Sequence, residues 1–291
     1  MPFTVITDSS CNLPENIIDA RAIEVLPLTF MIDGQEYSSY LKGQHTDLRQ
    51  FYDMMRMGKV ITTSLPHIAY SEKLIDEVLA DGNDILYVGF SSALSGTYES
   101  TKQILFEEIA KYPGRRFAAV DTLGASLGEG LLVLGACDMR DEGKSLDETA
   151  QWLRDNRLKC AHWFTVDDLM FLYRGGRVSR GTAQAGTVLN IKPVMHMDDA
   201  GALVPVGKAR GRKRSIEALA GHMLKTFDEQ AGMKRIAISH GDCIEDVRML
   251  TQMILTRYDV EDIIVNYVDP VIGAHSGPGT LALFFMASGR N

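Results

Sequence analysis

The stretch DILYVGF (84–90) followed by SSALSGT (91–97) constrains the fold most. A near-continuous apolar run of this length is the mark of a strand buried on both faces, as in a parallel sheet. It stops at a cluster of hydroxyl side chains, and a helical pattern over 98–111 follows. The same rhythm recurs on either side. PFTVITD (2–8) reads as a strand, 14–20 as a helix capped near Asn12 or Leu13, and 23–32 as extended chain. DGQEY (33–37) supplies an Asp-Gly hairpin turn, and 46–57 is an amphipathic helix closed by Gly58. A helix over 69–79, the strand RFAAVDT (116–122) and a long apolar helix over 126–142 complete the pattern. Such βαβ alternation predicts a doubly wound, mainly parallel sheet.

The second half reads differently. A helix over 146–158 leads into the strand CAHWFTVD (160–167) and then the Gly- and Arg-rich stretch LYRGGRVSRGTA (172–183). Alternating chain at 191–199 and ALVPVGKAR (202–210) form a strand pair, followed by a helix over 214–230. The strand 235–242, helix 244–258, strand 262–270 and a closing segment 273–288 finish the chain. A hairpin combined with α/β units implies a mixed sheet. The expected architecture is therefore α/β with two domains, 1–160 and 161–291, which suits a length of 291 residues.

Composition narrows the function classes. A net charge of −8 argues against a general nucleic-acid binder. One basic run, KARGRKR (208–214), stands out, read either as a solvated turn or as a docking patch. No apolar run approaches the roughly 18 residues of a membrane helix, and MPFTVITDSS has no basic leader region. Cys11, Cys137, Cys160 and Cys243 are scattered, without metal-ligand spacing, as expected of reduced thiols in a cytoplasmic protein.

In an open parallel sheet, ligands bind beyond the carboxyl ends of the strands. Three polar clusters are expected at such ends, TDSS (7–10), TTSLP (62–66) and SSALSGT (91–97), with a fourth, GAHSGPGT (273–280), in the other domain. Each alone reads as a helix cap, but a cap needs only one hydroxyl, and four such clusters point to one crevice for a polar group. A serine hydrolase is the enzymatic rival. Gly89-Phe90-Ser91-Ser92-Ala93 approaches the nucleophile elbow, and Ser91 or Ser95, Asp269 and His275 follow in triad order. Alanine at the last elbow position and only six residues between Asp269 and His275 weaken that match. No Gly-rich nucleotide motif is present, although Arg174, Arg177 and Arg180 of RGGRVSRG could wrap a phosphate. No histidines pair at metal-ligand spacing, so neither a metal nor a cofactor is expected.

Taken together and in order, TDSSCNLP, TTSLP, SSALSGTYES, LYRGGRVS, IKPV, GKARGRKR and GAHSGPGT resemble the DegV family of bacterial fatty-acid-binding proteins. The resemblance implies a two-domain α/β carrier, not an enzyme, holding one long-chain fatty acid in a tunnel with its carboxylate between the domains. It also implies a partner, a fatty acid kinase that phosphorylates the carboxyl with ATP for phospholipid synthesis. By position, Thr63, Ser95 with Gly96, and His275 would contact the carboxylate, and Arg174 would serve phosphate transfer or partner engagement. Leu65-Pro66-His67 departs from the Gln-Pro-Ser common in the family. Elementary energetics agree with a carrier. Burying about 14 methylenes at ~0.8 kcal/mol each contributes roughly 11 kcal/mol before association costs. The head group then fixes orientation, through donors that replace water around the acid.

Overall fold

The computed structural model describes residues 3–44, 46–185, 190–227, 235–258, 260 and 262–290. The first half runs β1 (Phe3–Asp8), α1 (Glu15–Ala20), β2 (Ile23–Leu26), β3 (Thr29–Ile32), β4 (Gln35–Ser38) and α2 (Leu48–Arg56). It continues with β5 (Ile61–Ser64), α3 (Ile68–Ala80), β6 (Asp84–Gly89), α4 (Thr97–Ile109), β7 (Phe117–Asp121), α5 (Leu127–Asp141) and α6 (Leu146–Asn156). The second half opens with β8 (Cys160–Thr165), α7 (Met170–Arg174), α8 (Arg180–Ala185), β9 (Ile191–Met197) and β10 (Leu203–Arg210). It ends with α9 (Arg212–Thr226), β11 (Arg235–His240), α10 (Ile244–Leu255), β12 (Asp262–Tyr267), α11 (Pro270–Ser276) and β13 (Leu281–Met286). The expected helix over 214–230 ends at Thr226, and residues 228–230 lie outside the described residues.

Among the described residues the strands assemble into three sheets. The first is parallel, in the order β2-β1-β6-β7, and its central strand β6 is buried along its whole length, as the apolar run requires. Ile75, Val78, Ile104 and Leu105 of α3 and α4 cover one face. Leu127, Leu131, Leu146 and Leu153 of α5 and α6 belong to the core on the other. The second sheet is mixed, in the order β10-β9-β8-β13-β11-β12, with only β11 and β12 parallel. The chain is thus an α/β protein with one parallel and one mixed sheet. The third sheet is small, antiparallel and absent from the sequence-based expectation: β4-β3-β5.

That third sheet corrects two expectations. Residues 23–32 are not one extended segment, because the chain breaks at Pro27 and Leu28, sending β2 and β3 to different sheets. Pro lacks the N–H a continuing ladder needs. TTSLP, expected at the end of a parallel strand, lies on β5, where Thr63 opposes Phe30 of β3. The Asp33-Gly34 hairpin forms as expected, with positive φ at both residues.

Helix α5 packs on β1 and β6 of the parallel sheet and also on β8, β11 and β13 of the mixed one. Every residue from Leu127 to Cys137 is buried. A Cβ on Gly128 would overlap the His162 ring of β8, so glycine is needed there for helix and sheet to meet. Strands β8 and β13 alternate accordingly. Cys160, Phe164, Ala282 and Phe284 belong to the core around α5, and Ala161, Trp163, Leu283 and Phe285 to the core that includes α9 and α10.

Candidate functional site

A cavity of about 270 Å³ lies where α11, the small sheet, the start of α4, the start of α5 and the mixed sheet converge. That is near the lower bound of ~300–1,000 Å³ for small-ligand sites. Its lining is chemically mixed. Thr63, Ser95, Thr97, Arg177, His275 and Ser276 line it with polar groups, while Phe164, Met197, Leu203 and Phe284 supply apolar wall from the sheet. Thr280, Ala282 and Phe284 of one chain segment all line it, and four residues of extended chain span roughly 13 Å. The wall continues sideways, since Phe284 pairs with His162 and Leu203 with Met197.

Each polar group has a structural reason for its place. Asp269 caps α11 by accepting from the N–H groups of Val271 and Ile272, with Pro270 at the first helical position. The helix then presents Val271, Ile272, His275 and Ser276 to the cavity as one face, the i, i+4 spacing of neighbours on a helix. His275 Nε2 lies 2.8 Å from Thr63 Oγ1, joining two segments 212 residues apart. Burial, and secondarily the nearby Arg177 charge, push the His275 imidazole down to about 4, so it is neutral at pH 7. Gly175, at the end of α7, has no side chain because a Cβ there would overlap that ring.

Ser95 Oγ lies 2.8 Å from Thr97 Oγ1 and also accepts from the Thr97 N–H at 3.2 Å, fixing both hydroxyls at the start of α4. Gly96 lines the cavity between them. Thr63, Ser95, Gly96 and His275 are thus brought to one cavity from three separate elements. Arg174 is not. It is exposed and lies over the Phe171 ring, outside the lining. Three residues on, Arg177 enters the cavity instead, donating from Nε to the Leu94 carbonyl at 3.1 Å and from Nη1 to the Gly175 carbonyl. Among the described residues no carboxylate pairs with it, and burial lowers its pKa. A half-buried cation without a counter-ion favours an anionic occupant.

His162, which sequence reasoning passed over, lines the apolar part. Its Nε2 accepts from the Ala125 N–H at 3.2 Å, so the ring proton sits on Nδ1, 3.0 Å from the Cys160 carbonyl. Burial holds the ring well below the usual histidine range, and it meets Phe284 edge-on. Both nitrogens are used within the protein, leaving a rigid neutral wall. The period-two alternation with Phe164 was the available signal.

The hydrolase arrangement does not assemble. Ser91 is buried and donates to the Gly201 carbonyl at 2.9 Å, and Ser95 bonds to Thr97. Asp269 sits at the opposite end of α11 from His275, roughly 9 Å along the axis at ~1.5 Å per residue. Behind the cavity, Asn12 links Ser126 (2.6 Å) to the Asp269 N–H (3.4 Å). Further in, Ser10 Oγ bridges Asp8 and Glu129, while Tyr87 and the Phe90 N–H also donate to Asp8. One hydroxyl proton cannot serve two carboxylates. Burial raises both carboxyls, Glu129 well above its usual value with the Asp8 charge adding to it. Among the described residues no group of three or more His, Cys, Asp or Glu is arranged to hold a metal ion. No helix there is long and apolar enough to cross a membrane.

A family profile described as "Uncharacterised protein, DegV family" matches residues 2–288. The chain belongs to the DegV family. A DegV domain-containing protein of Clostridium perfringens is 40% identical over 284 residues, covering 98% of this chain and 97% of that one. A fatty-acid-binding DegV family protein of Thermus thermophilus has the same fold, with a TM-score of 0.85 and 31% identity, covering 99% of this chain and all of that one. DegV of Bacillus subtilis, a fatty acid binding protein, gives a TM-score of 0.83 at 26% identity, covering 99% and 100%. In this DegV chain, the cavity lined by both polar and apolar groups is the feature to be explained.

Proposed function

We propose that this chain is a non-enzymatic carrier that binds one long-chain fatty acid in the cavity. Thr63, Ser95, Gly96 and His275 hold the carboxylate, Arg177 supplies the positive charge, and the alkyl chain lies along Phe164, His162, Phe284 and Met197. The observation that carries this reading is the Arg177 guanidinium, without a carboxylate partner among the described residues, in one cavity with the Thr63–His275 pair and an apolar wall. The solved relatives that bind fatty acids support it. The site then lies between two units, 1–160 and 161–291.

The carrier presents its acid, in the cytoplasm, to a fatty acid kinase that converts the carboxyl to an acyl phosphate for phospholipid synthesis. Exposed Arg174, beside Arg177 on the sequence, serves that encounter. Mass spectrometry of an organic extract of the purified protein is expected to show one equivalent of a long-chain acid. Incubation of the loaded protein with such a kinase, ATP and hydroxylamine should give the acyl hydroxamate. Protein that neither retains nor takes up a long-chain acid would overturn the proposal.

A further inference from the structure

Hydroxyl protons around the cavity are largely committed. Thr63 and His275 share one bond, Ser95 and Thr97 share another, and Thr280 Oγ1 donates to the Gly277 carbonyl at 2.8 Å. Ser126 lies 2.6 Å from Asn12 Oδ1 and 2.7 Å from Ser239 Oγ. Ser276 is different. Its side chain is only 5% exposed, and its Oγ is the one buried side-chain oxygen or nitrogen among the described cavity-lining residues with no hydrogen-bond partner. Buried polar groups without partners are rare, because desolvation goes uncompensated.

We infer that Ser276 is a further ligand-binding residue, donating to the carboxylate of the bound acid; this rests on the function proposed above. A fatty acid has oxygens only at its head, and Ser276 directly follows His275 on the cavity-facing side of α11. A carboxylate offers about four lone-pair sites, and the Ser276 hydroxyl, with no partner inside the protein, is free to fill one of them beside the Arg177 guanidinium and the Thr63–His275 and Ser95–Thr97 pairs. Ser276 is more deeply buried than Thr63, Ser95 or His275, so it meets the inner of the two carboxylate oxygens. Residue 276 thereby turns a two-sided grip into one that also orients the plane of the carboxyl group.

The test loads wild type, Ser276→Ala and Ser276→Thr with hexadecanoic acid carrying ¹³C at the carboxyl carbon. It reads both the dissociation constant and the pH midpoint of the bound carboxyl by NMR. Ser276→Ala is expected to weaken binding about 10-fold and to raise the midpoint by about one pH unit, the equivalent of one charge-assisted hydrogen bond. Ser276→Thr, which keeps the hydroxyl, should stay within about 3-fold of wild type and restore the midpoint. An unchanged midpoint in Ser276→Ala, or a threonine variant as impaired as alanine, would overturn the inference. Failure of the wild type itself to bind the acid would instead count against the proposed function.

Discussion

Replacing Arg177 with methionine removes the charge from the cavity while keeping a flexible side chain of similar reach. The guanidinium has five donors; the protein uses Nε for the Leu94 carbonyl and Nη1 for the Gly175 carbonyl, leaving the others for an anion. A carboxylate about 4 Å away at an effective dielectric near 20 is attracted by ~4 kcal/mol. Desolvating the ligand offsets part of that, and hydrogen bonds to charged groups contribute ~1.5–3 kcal/mol net. Arg177→Met should therefore weaken hexadecanoate binding by roughly 10- to 150-fold at 1.4 kcal/mol per decade. Displacement of a fluorescent fatty acid, repeated with neutral hexadecan-1-ol, separates charge from shape. The alcohol should lose no more than about 3-fold, and Arg174→Ala should leave both ligands within about 2-fold, because that side chain stands outside the lining. Equal loss of acid and alcohol, or a larger effect at Arg174, would refute the assignment of the charge to Arg177.

Other outcomes follow from the same geometry. Thr63→Val and Ser95→Ala should each cost about 1–3 kcal/mol of acid binding, measured by calorimetry, since each strands a polar partner. Gly128→Ala drives a methyl into the His162 ring and should destabilise the fold by ~1–3 kcal/mol in urea unfolding, while narrowing the chain lengths accepted. Burial raises the Asp269 carboxyl from 3.8 to about 6, so the folded state binds its proton more tightly than the unfolded state does. That contribution is full below pH ~4 and is lost as pH rises through about 6, a difference of roughly 3 kcal/mol by linkage. Asp269→Asn should accordingly flatten the fall in urea midpoint between about pH 4 and 6.5; an undiminished slope would assign it to Asp8 and Glu129 instead.

Local patterns made much of the fold readable. The buried run of β6, the Asp33-Gly34 turn and the alternation of β8 are properties of neighbouring residues. Sheet membership is not, which is why TTSLP is expected at the carboxyl end of a parallel strand and instead lies on β5, antiparallel to β3. The break at Pro27 was legible in principle, since proline interrupts a ladder. The motifs holding Thr63, Ser95 and His275 could be picked out, but the 2.8 Å Thr63–His275 contact spans 212 residues and comes only from tertiary packing. Arg174 and Arg177 are equivalent in sequence terms. The path of the chain through Gly175 and Gly176, after α7 ends, leaves the exposed Arg174 over the half-buried Phe171 ring and sends Arg177 into the cavity.

The placement of α5 bears on how the chain comes to be folded at all. When synthesis has delivered the first 160 residues, this helix has one wall to lean on and lacks the strands that cover its remaining side, β11 and β13 among them. Its Leu- and Val-rich surface cannot be dry until the last strand has threaded between β8 and β11. A truncated first half should therefore be sticky and poorly ordered, and the complete chain should melt as one body, not in two steps.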